Sequence, residues 1–303
     1  MATTVWVKSV HGLANKFDPA RIAFDPKAGI SYVSEAYNVD FDITGNISRR
    51  LGFESTDITG SCHSFFFGGN YCVFVVGDAL SLLGEDMTSR ALRAVTVDKF
   101  MSYTQIGDSV LYMNGSEKGV VKDGISWDYE KPAETRYPDG DRVYSDPPIG
   151  SIVRAYSGRV YIAEGNTLWY SEPFGPNLFR KATGYIKMPG RIVMIAPVLS
   201  GMFVSTEFKI YFLTGTNPKE FIQHTLTQYP AIEGTDVEVD GISLKGGEIS
   251  PFPCQMFTTR EGICVRTSEG KLVNLTYDTL EYPNAKRGSA VYTGSKYIVS
   301  LEA

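Results

Sequence analysis

Apolar residues in this chain fall into short runs, alternating with polar ones or closely spaced, and each run ends at a tight turn. That rhythm predicts strands, and no stretch long enough for a stable helix carries a helical period. The turns are signalled by Gly68-Gly69, Gly107-Asp108, Ser157-Gly158, Ser200 and Glu261-Gly262. One stretch repeats: Arg159 to Phe179 aligns without gaps on Gly201 to Phe221, an offset of 42 residues. Tyr161 falls on Phe203, Leu168 on Ile210, Trp169-Tyr170 on Tyr211-Phe212, Pro176 on Pro218 and Phe179 on Phe221. A repeat of this length matches one four-stranded blade of a β-propeller.

The rest of the chain parses into similar units. Blade one is predicted over 62–67, 70–76, 78–83 and 91–97, and blade two over 100–106, 109–114, 119–122 and 125–129. Blade three takes 151–156, 159–164, 167–172 and 179–188; blade four takes 191–198, 201–206, 209–214 and 221–227. Blade five has 252–259, 262–267 and 271–277, with an indistinct outer strand near 280–282. The second strand of each unit is densely apolar, as expected of a strand buried on both faces. Two strands remain at the end, 287–293 and 296–301. An open pair would leave a bare sheet edge, so strands 36–42 and 46–53 from the N-terminal region are expected to complete the last blade. The expected fold is all-β, a single six-bladed propeller over 31–303. Outside the blades lie an N-terminal arm (1–30, with Asp18-Pro19 and Asp25-Pro26) and two excursions, 130–150 and 228–250, of the length that surface contacts use.

Composition narrows the function classes. The 303 residues carry 18 Tyr, 17 Phe, 30 Gly and 15 Pro, a mixture suited to short strands and turns. The net charge of −5 and the absence of a basic stripe beyond Arg49-Arg50 and Lys286-Arg287 argue against phosphate-driven nucleic-acid binding. No apolar run reaches the length of a membrane span, and the first ten residues do not read as a signal peptide, so no membrane insertion is expected and the chain reads as kept in a cytosol-like compartment. The four cysteines (Cys62, Cys72, Cys254, Cys264) lack Cys-x-x-Cys spacing and read as reduced core thiols, with Cys62–Cys72 or Cys254–Cys264 disulfides as the alternative.

Chemistry-bearing patterns are thin. Only His11, His63 and His224 could serve as a base, and His63, which alternates with Phe65 in strand-like sequence and is expected to share its face, reads as structural. Asp236-Val-Glu-Val-Asp240 places three carboxylates on one strand face, a set able to bind calcium but lacking a calcium-loop pattern, and reads as a solvated face. Asp139, Asp141 and Asp146 read as solvated loop charges, and Trp6, Trp127 and Trp169 as buried in core or interface. The sialidase Asp box, a repeated Trp-Asp dipeptide, a nucleophile elbow and a phosphate-cradling loop are all missing. No catalytic, cofactor-binding or metal-ligating residue is therefore assigned.

The segments Gly12-Leu-Ala-Asn-Lys-Phe-Asp-Pro19, Glu35-Ala-Tyr-Asn-Val-Asp-Phe-Asp42 and Gly45-Asn-Ile-Ser-Arg-Arg-Leu-Gly-Phe53 resemble the opening of phage tail nozzle and hub proteins, including the packaged-DNA stabilisation type. Gly158-Arg-Val-Tyr-Ile-Ala163 and Leu168-Trp-Tyr-Ser-Glu-Pro-Phe174 look like that group too. The chain is shorter than those proteins, which carry further domains. The resemblance implies a structural, non-enzymatic virion protein of a tail or neck, forming a ring of its own copies, six by expectation, beside adaptor, fibre or spike proteins. DNA would pass through the assembly, and a mildly acidic wall would not hold it. Arg49-Arg50 then either faces a partner's acidic surface or belongs to an ordinary strand. The competing readings are a receptor- or carbohydrate-binding, depolymerising tail propeller and a cellular peptide-binding scaffold.

Overall fold

The computed structural model describes residues 9–16, 18, 30–42, 44–52, 54–68, 71–132, 143–244, 252–293 and 296–303. Short strands β1 (Ser9–Leu13) and β2 (Ile30–Val33) pair in parallel, and β3 (Val39–Phe41) and β4 (Ile47–Arg49) form a hairpin. Five antiparallel sheets follow in chain order. The first holds β5 (Cys62–Gly68), β6 (Tyr71–Val76), β7 (Ala79–Leu83) and β8 (Ser89–Ala94); the second holds β9 (Ser102–Ile106), β10 (Ser109–Met113), β11 (Lys118–Lys122) and β12 (Ile125–Asp128). The third holds β13 (Ile152–Tyr156), β14 (Arg159–Glu164) and β15 (Thr167–Glu172), with β16 (Gly175–Phe179) and β17 (Tyr185–Lys187) both paired to β15. The fourth comprises β18 (Ile192–Val198), β19 (Gly201–Thr206), β20 (Ile210–Thr214) and β21 (Ile222–Thr225). The fifth comprises β22 (Val237–Val239), β23 (Cys254–Thr259), β24 (Gly262–Arg266) and β25 (Leu272–Asn274), and a last hairpin joins β26 (Arg287–Thr293) to β27 (Lys296–Glu302).

Each sheet runs from an inner to an outer strand, and the burial pattern says why. In the fourth sheet β18 and β19 are almost wholly buried while all four residues of β21 are exposed. The repeat at offset 42 is structural: Tyr161 stands opposite Tyr170 across β14–β15, and Phe203 opposite Phe212 across β19–β20. Apolar layers fill the spaces between successive sheets. Val75, Val110 and Tyr112 pack the first against the second, and Met113, Val153 and Ile162 the second against the third. Tyr161, Leu168, Ile195 and Val204 join third to fourth, and Met194, Phe203 and Phe257 join fourth to fifth. Tyr292 and Tyr297 then lay the final hairpin on the fifth sheet. Tight turns close the hairpins: Ser157 and Gly158 both hold positive φ (47° and 72°), as a two-residue turn matched to strand twist requires.

Two expectations are corrected. The innermost strand of the fifth sheet is Val237–Val239, inside the segment 228–250 set apart from the blades, so Cys254–Thr259 is the second strand and Leu272–Asn274 the outer one. Three residues flanked by carboxylates are too short for a period, and only the burial of Val239 marks them as inner. The N-terminal and C-terminal hairpins, expected in one sheet, are separate two-stranded sheets. With three residues a side, β3–β4 has little ladder to offer, and its link to β27 is an ion pair, Lys296 to Asp40 at 2.9 Å. Among the described residues the sheets of four or five strands number five.

Candidate functional site: the channel and its rims

Two arginines, one on an inner strand and one on β24, the third strand of the fifth sheet, stand where periodicity asks for apolar residues. Arg154, central in β13, donates from Nη1 to Ser102 Oγ (2.8 Å), Tyr103 O (3.2 Å) and Val153 O (2.9 Å), and from Nη2 to Asp236 Oδ2 (2.8 Å). Ser102 and Tyr103 belong to the inner strand of the second sheet, Val153 to β13 itself, and Asp236 is the residue just before the inner strand of the fifth. The third and fifth sheets are not ring neighbours, so the ion pair spans the central channel. Both side chains are largely shielded, at 25% and 12% exposure. Arg266 reaches inward from β24 and is fully buried, its Cζ 4.2 Å from the Phe257 ring centroid and 4.9 Å from that of Phe203. Burial pushes its guanidinium down to about 9, against the opposing pull of Asp236, and it stays cationic at neutral pH.

Clefts flank the two ends of β18. One, of about 230 Å3, lies at its start, with Arg191, Glu207, Glu233, Arg260 and Lys286 on its walls; Arg191 is bound to Glu233 at 2.9 Å. The other, about 200 Å3, lies at its end beside Leu199, Phe252, Gln255 and Ser268.

The carboxylates singled out in the sequence separate by role. Asp236 pairs with Arg154, Glu238 lines the second cleft, and Asp240 accepts from Ile242 N (3.1 Å) at a short 3-10 turn, Gly241–Ser243. Asp146 accepts from Lys131 N (3.1 Å), while Asp139 and Asp141 lie outside the described residues, as does Trp6. Among the described residues no three of His, Cys, Asp and Glu stand close enough to hold a metal ion.

His63 does not share a face with Phe65. The ladder slips between His63 and Phe66, with Ser64 at φ 55°, so His63 lies opposite Val75 and Phe66 opposite Val73, on the side facing the second sheet. Phe65 stacks instead on Phe74 (4.9 Å) and is exposed. His63 meets Phe100 edge-on at 5.4 Å, and burial pushes its pKa down. Phe100 in turn lies 5.1 Å under Arg287 of β26, so these three side chains link the last hairpin to the first sheet. His11 packs against Tyr32 and His224 is exposed on β21.

Arg50 pairs with Asp40 across its own hairpin (3.2 Å) and Arg49 is exposed. Trp127, expected to be buried, stands exposed on the outer strand β12; Trp169 is half-buried and donates to Glu164 (2.8 Å). None of the four cysteines is joined in a disulfide; Cys254 and Cys264 are buried and Cys62 is exposed. Sequence reasoning passed over Arg154 and Arg266; the signal was a lone cation in Ile-Val-Arg-Ala-Tyr and in Gly-Ile-Cys-Val-Arg.

No protein-family model matches the chain, and no curated protein matches it in sequence. Among solved structures, BBS1N in complex with ARL6DN superposes with a TM-score of 0.51 at 11% identity, over 84% of this chain and 81% of that one. The fold is a β-propeller. A streptogramin B lyase (TM-score 0.48, 14% identity, 83% and 78% covered) and a gluconolactonase from Xanthomonas campestris (0.47, 11%, 81% and 88%) also match. Those two scores are too low to carry any argument about this propeller's function, and identity at this level speaks to fold alone.

Proposed function

We propose that this propeller is a structural, non-enzymatic part of a bacteriophage tail or neck, assembling with its own copies into a ring around the path of the DNA. The phage reading rests on the resemblance carried by residues 12–53 and 158–174. The observation that supports a structural role most is the use made of the ionisable groups nearest the axis. Arg154 and Asp236 tie inner strands together across the channel and are spent on each other. An active site needs such groups unpaired and facing a cavity. In this reading the last hairpin, laid on the fifth sheet and tied by Asp40 to the N-terminal hairpin, serves as the sixth blade.

In this reading the DNA path runs through the centre of the subunit ring and not through a propeller, whose channel the ion pair crosses. Sugar recognition draws less support: no aromatic ring lines the cleft at the start of β18.

Deleting 131–148 is expected to leave a folded monomer that no longer forms rings, read by light scattering after size exclusion. A shortened chain that assembles like the full one overturns that loop as the contact. A full chain that stays monomeric at high concentration and is missing from purified particles overturns the structural reading itself.

A further inference from the structure

The cleft at the start of β18 carries more cationic charge than its carboxylates answer. Arg191, Arg260 and Lys286 stand with Glu207 and Glu233 around a space of about 230 Å3. Both carboxylates are engaged at Arg191: Glu233 Oε2 accepts from its Nη1 at 2.9 Å, and Glu207 Oε1 from its backbone N–H at 3.2 Å. Arg260 and Lys286 are exposed, and their side chains make no ion pair or hydrogen bond among the described residues. Their backbones are nevertheless fixed. Arg260 O accepts from Tyr282 N (2.8 Å), and Lys286 N–H donates to Glu302 O (2.9 Å). The ground of the cleft is hydrocarbon, supplied by the buried side chains of Val193, Ala231 and Ile232.

An inorganic ion would meet the charge and leave that apolar ground wet, whereas an aliphatic acid covers both kinds of surface. We propose that Arg260 and Lys286 hold the two carboxylates of a short aliphatic dicarboxylate, its carbon chain lying on Val193, Ala231 and Ile232. Arg260 offers a planar fork that matches a carboxylate, and Lys286 a point charge for the second one. The volume is below the roughly 300–1,000 Å3 of sites that take drug-sized ligands, so the occupant is only a few carbons long. Glu207 and Glu233 on the same walls disfavour an acid with any further negative charge. This site goes beyond the structural reading and stands whether or not the propeller forms rings.

The test is titration of the full chain with sodium succinate and sodium glutarate at fixed ionic strength, followed by saturation-transfer NMR of the ligand. Saturable binding is expected for at least one of the two. Arg260→Ala and Lys286→Ala should each weaken it at least about tenfold, as loss of a charge-assisted contact requires. Lys122→Ala, exposed on the second sheet, should bind like the native chain. Propionate, with a single carboxylate, and inorganic phosphate should each bind at least about tenfold more weakly than the better dicarboxylate. Should either cleft variant lose stability, amide shifts of the native chain decide: changes centred on Val193, Ala231 and Lys286 support the site, and changes centred elsewhere overturn it. The absence of saturable binding, or binding that survives both substitutions, also overturns it. Phosphate held as tightly as the dicarboxylate would make the cleft a plain oxyanion site and overturn the ligand class.

Discussion

Asn15 pairs with the chain at Glu281 as a strand would, but with its side chain. Its Nδ2 donates to Glu281 O (3.0 Å), its Oδ1 accepts from Glu281 N (2.9 Å), and its own backbone N–H donates to Thr279 O (2.9 Å). Lys16 beside it donates to Tyr277 O (2.8 Å) and lies 4.1 Å from that ring's centroid. Asn15→Ala should therefore cost about 1 kcal/mol and speed proteolysis of the arm while leaving the sheets intact, read by urea titration and limited trypsin digestion. Equal resistance in both proteins would deny the clamp. Asp236 sits in a drier place. Asp236→Ala leaves two buried guanidinium groups without a carboxylate and should cost about 3 kcal/mol, whereas Glu302→Gln, which removes an exposed pair with Arg287, should cost less than about 0.5 kcal/mol. Similar losses in the two variants would mean that the channel pair is solvated. Thiols grade the same way: Cys62 should react with a disulfide reagent in the native protein, and Cys264, buried and pushed up to about 12, only after unfolding.

Turns and strands show what sequence can specify and what it conceals. The 42-residue repeat made the third and fourth sheets legible because both carry long apolar strands bounded by Gly or Ser turns. The fifth sheet was misread because β22 has three residues, two of them half-buried or exposed, and its burial depends on neighbours far away in the chain. His63 was misplaced for a different reason. An extra residue at Ser64 resets the alternation, and a bulge leaves no mark in the apolar pattern. Arg154 looked like an ordinary strand charge because its carboxylate, Asp236, comes from a sheet that does not neighbour its own. The turn joining β3 to β4 is closed by a side chain whose role was not read from the sequence. Asp42 accepts from the backbone of Thr44 (2.8 Å) and Asn46 (3.0 Å) and from the Thr44 hydroxyl (2.6 Å), which hold its carboxyl down to about 2. With its folded pKa below the ordinary 3.8, the turn's contribution is fully present above about pH 4 and is lost as pH falls through about 2. A carboxyl-carbon NMR titration of Asp42 should show that low midpoint; one near 4 would mean that the turn does not hold the ionised form.

At the scale of the whole molecule, cohesion runs unevenly around the ring. Five apolar layers join each sheet to the next and the fifth sheet to the final hairpin. Between that hairpin and the first sheet the contact is narrower: Arg287 over Phe100, with His63 at the ring's edge. Phe65 and Phe67 of β5 are correspondingly exposed, although β5 is an inner strand. Stability in such a body is local, and amides open at the place with least buried contact. Hydrogen exchange should therefore find β5, β26 and β27 opening at lower free energy than β14 and β19, whose apolar residues are buried on both faces. Arg287→Ala removes the cation from Phe100 and should lower protection mainly at β26 and β5, since the side chain of Arg287 meets Phe100 and Glu302. Uniform loss of protection around the ring would mean that the propeller opens as one cooperative unit and that its weakest joint lies elsewhere. Retained protection at β5 and β26 would mean that the hairpin is held by the fifth sheet alone, with Phe100 only resting against it.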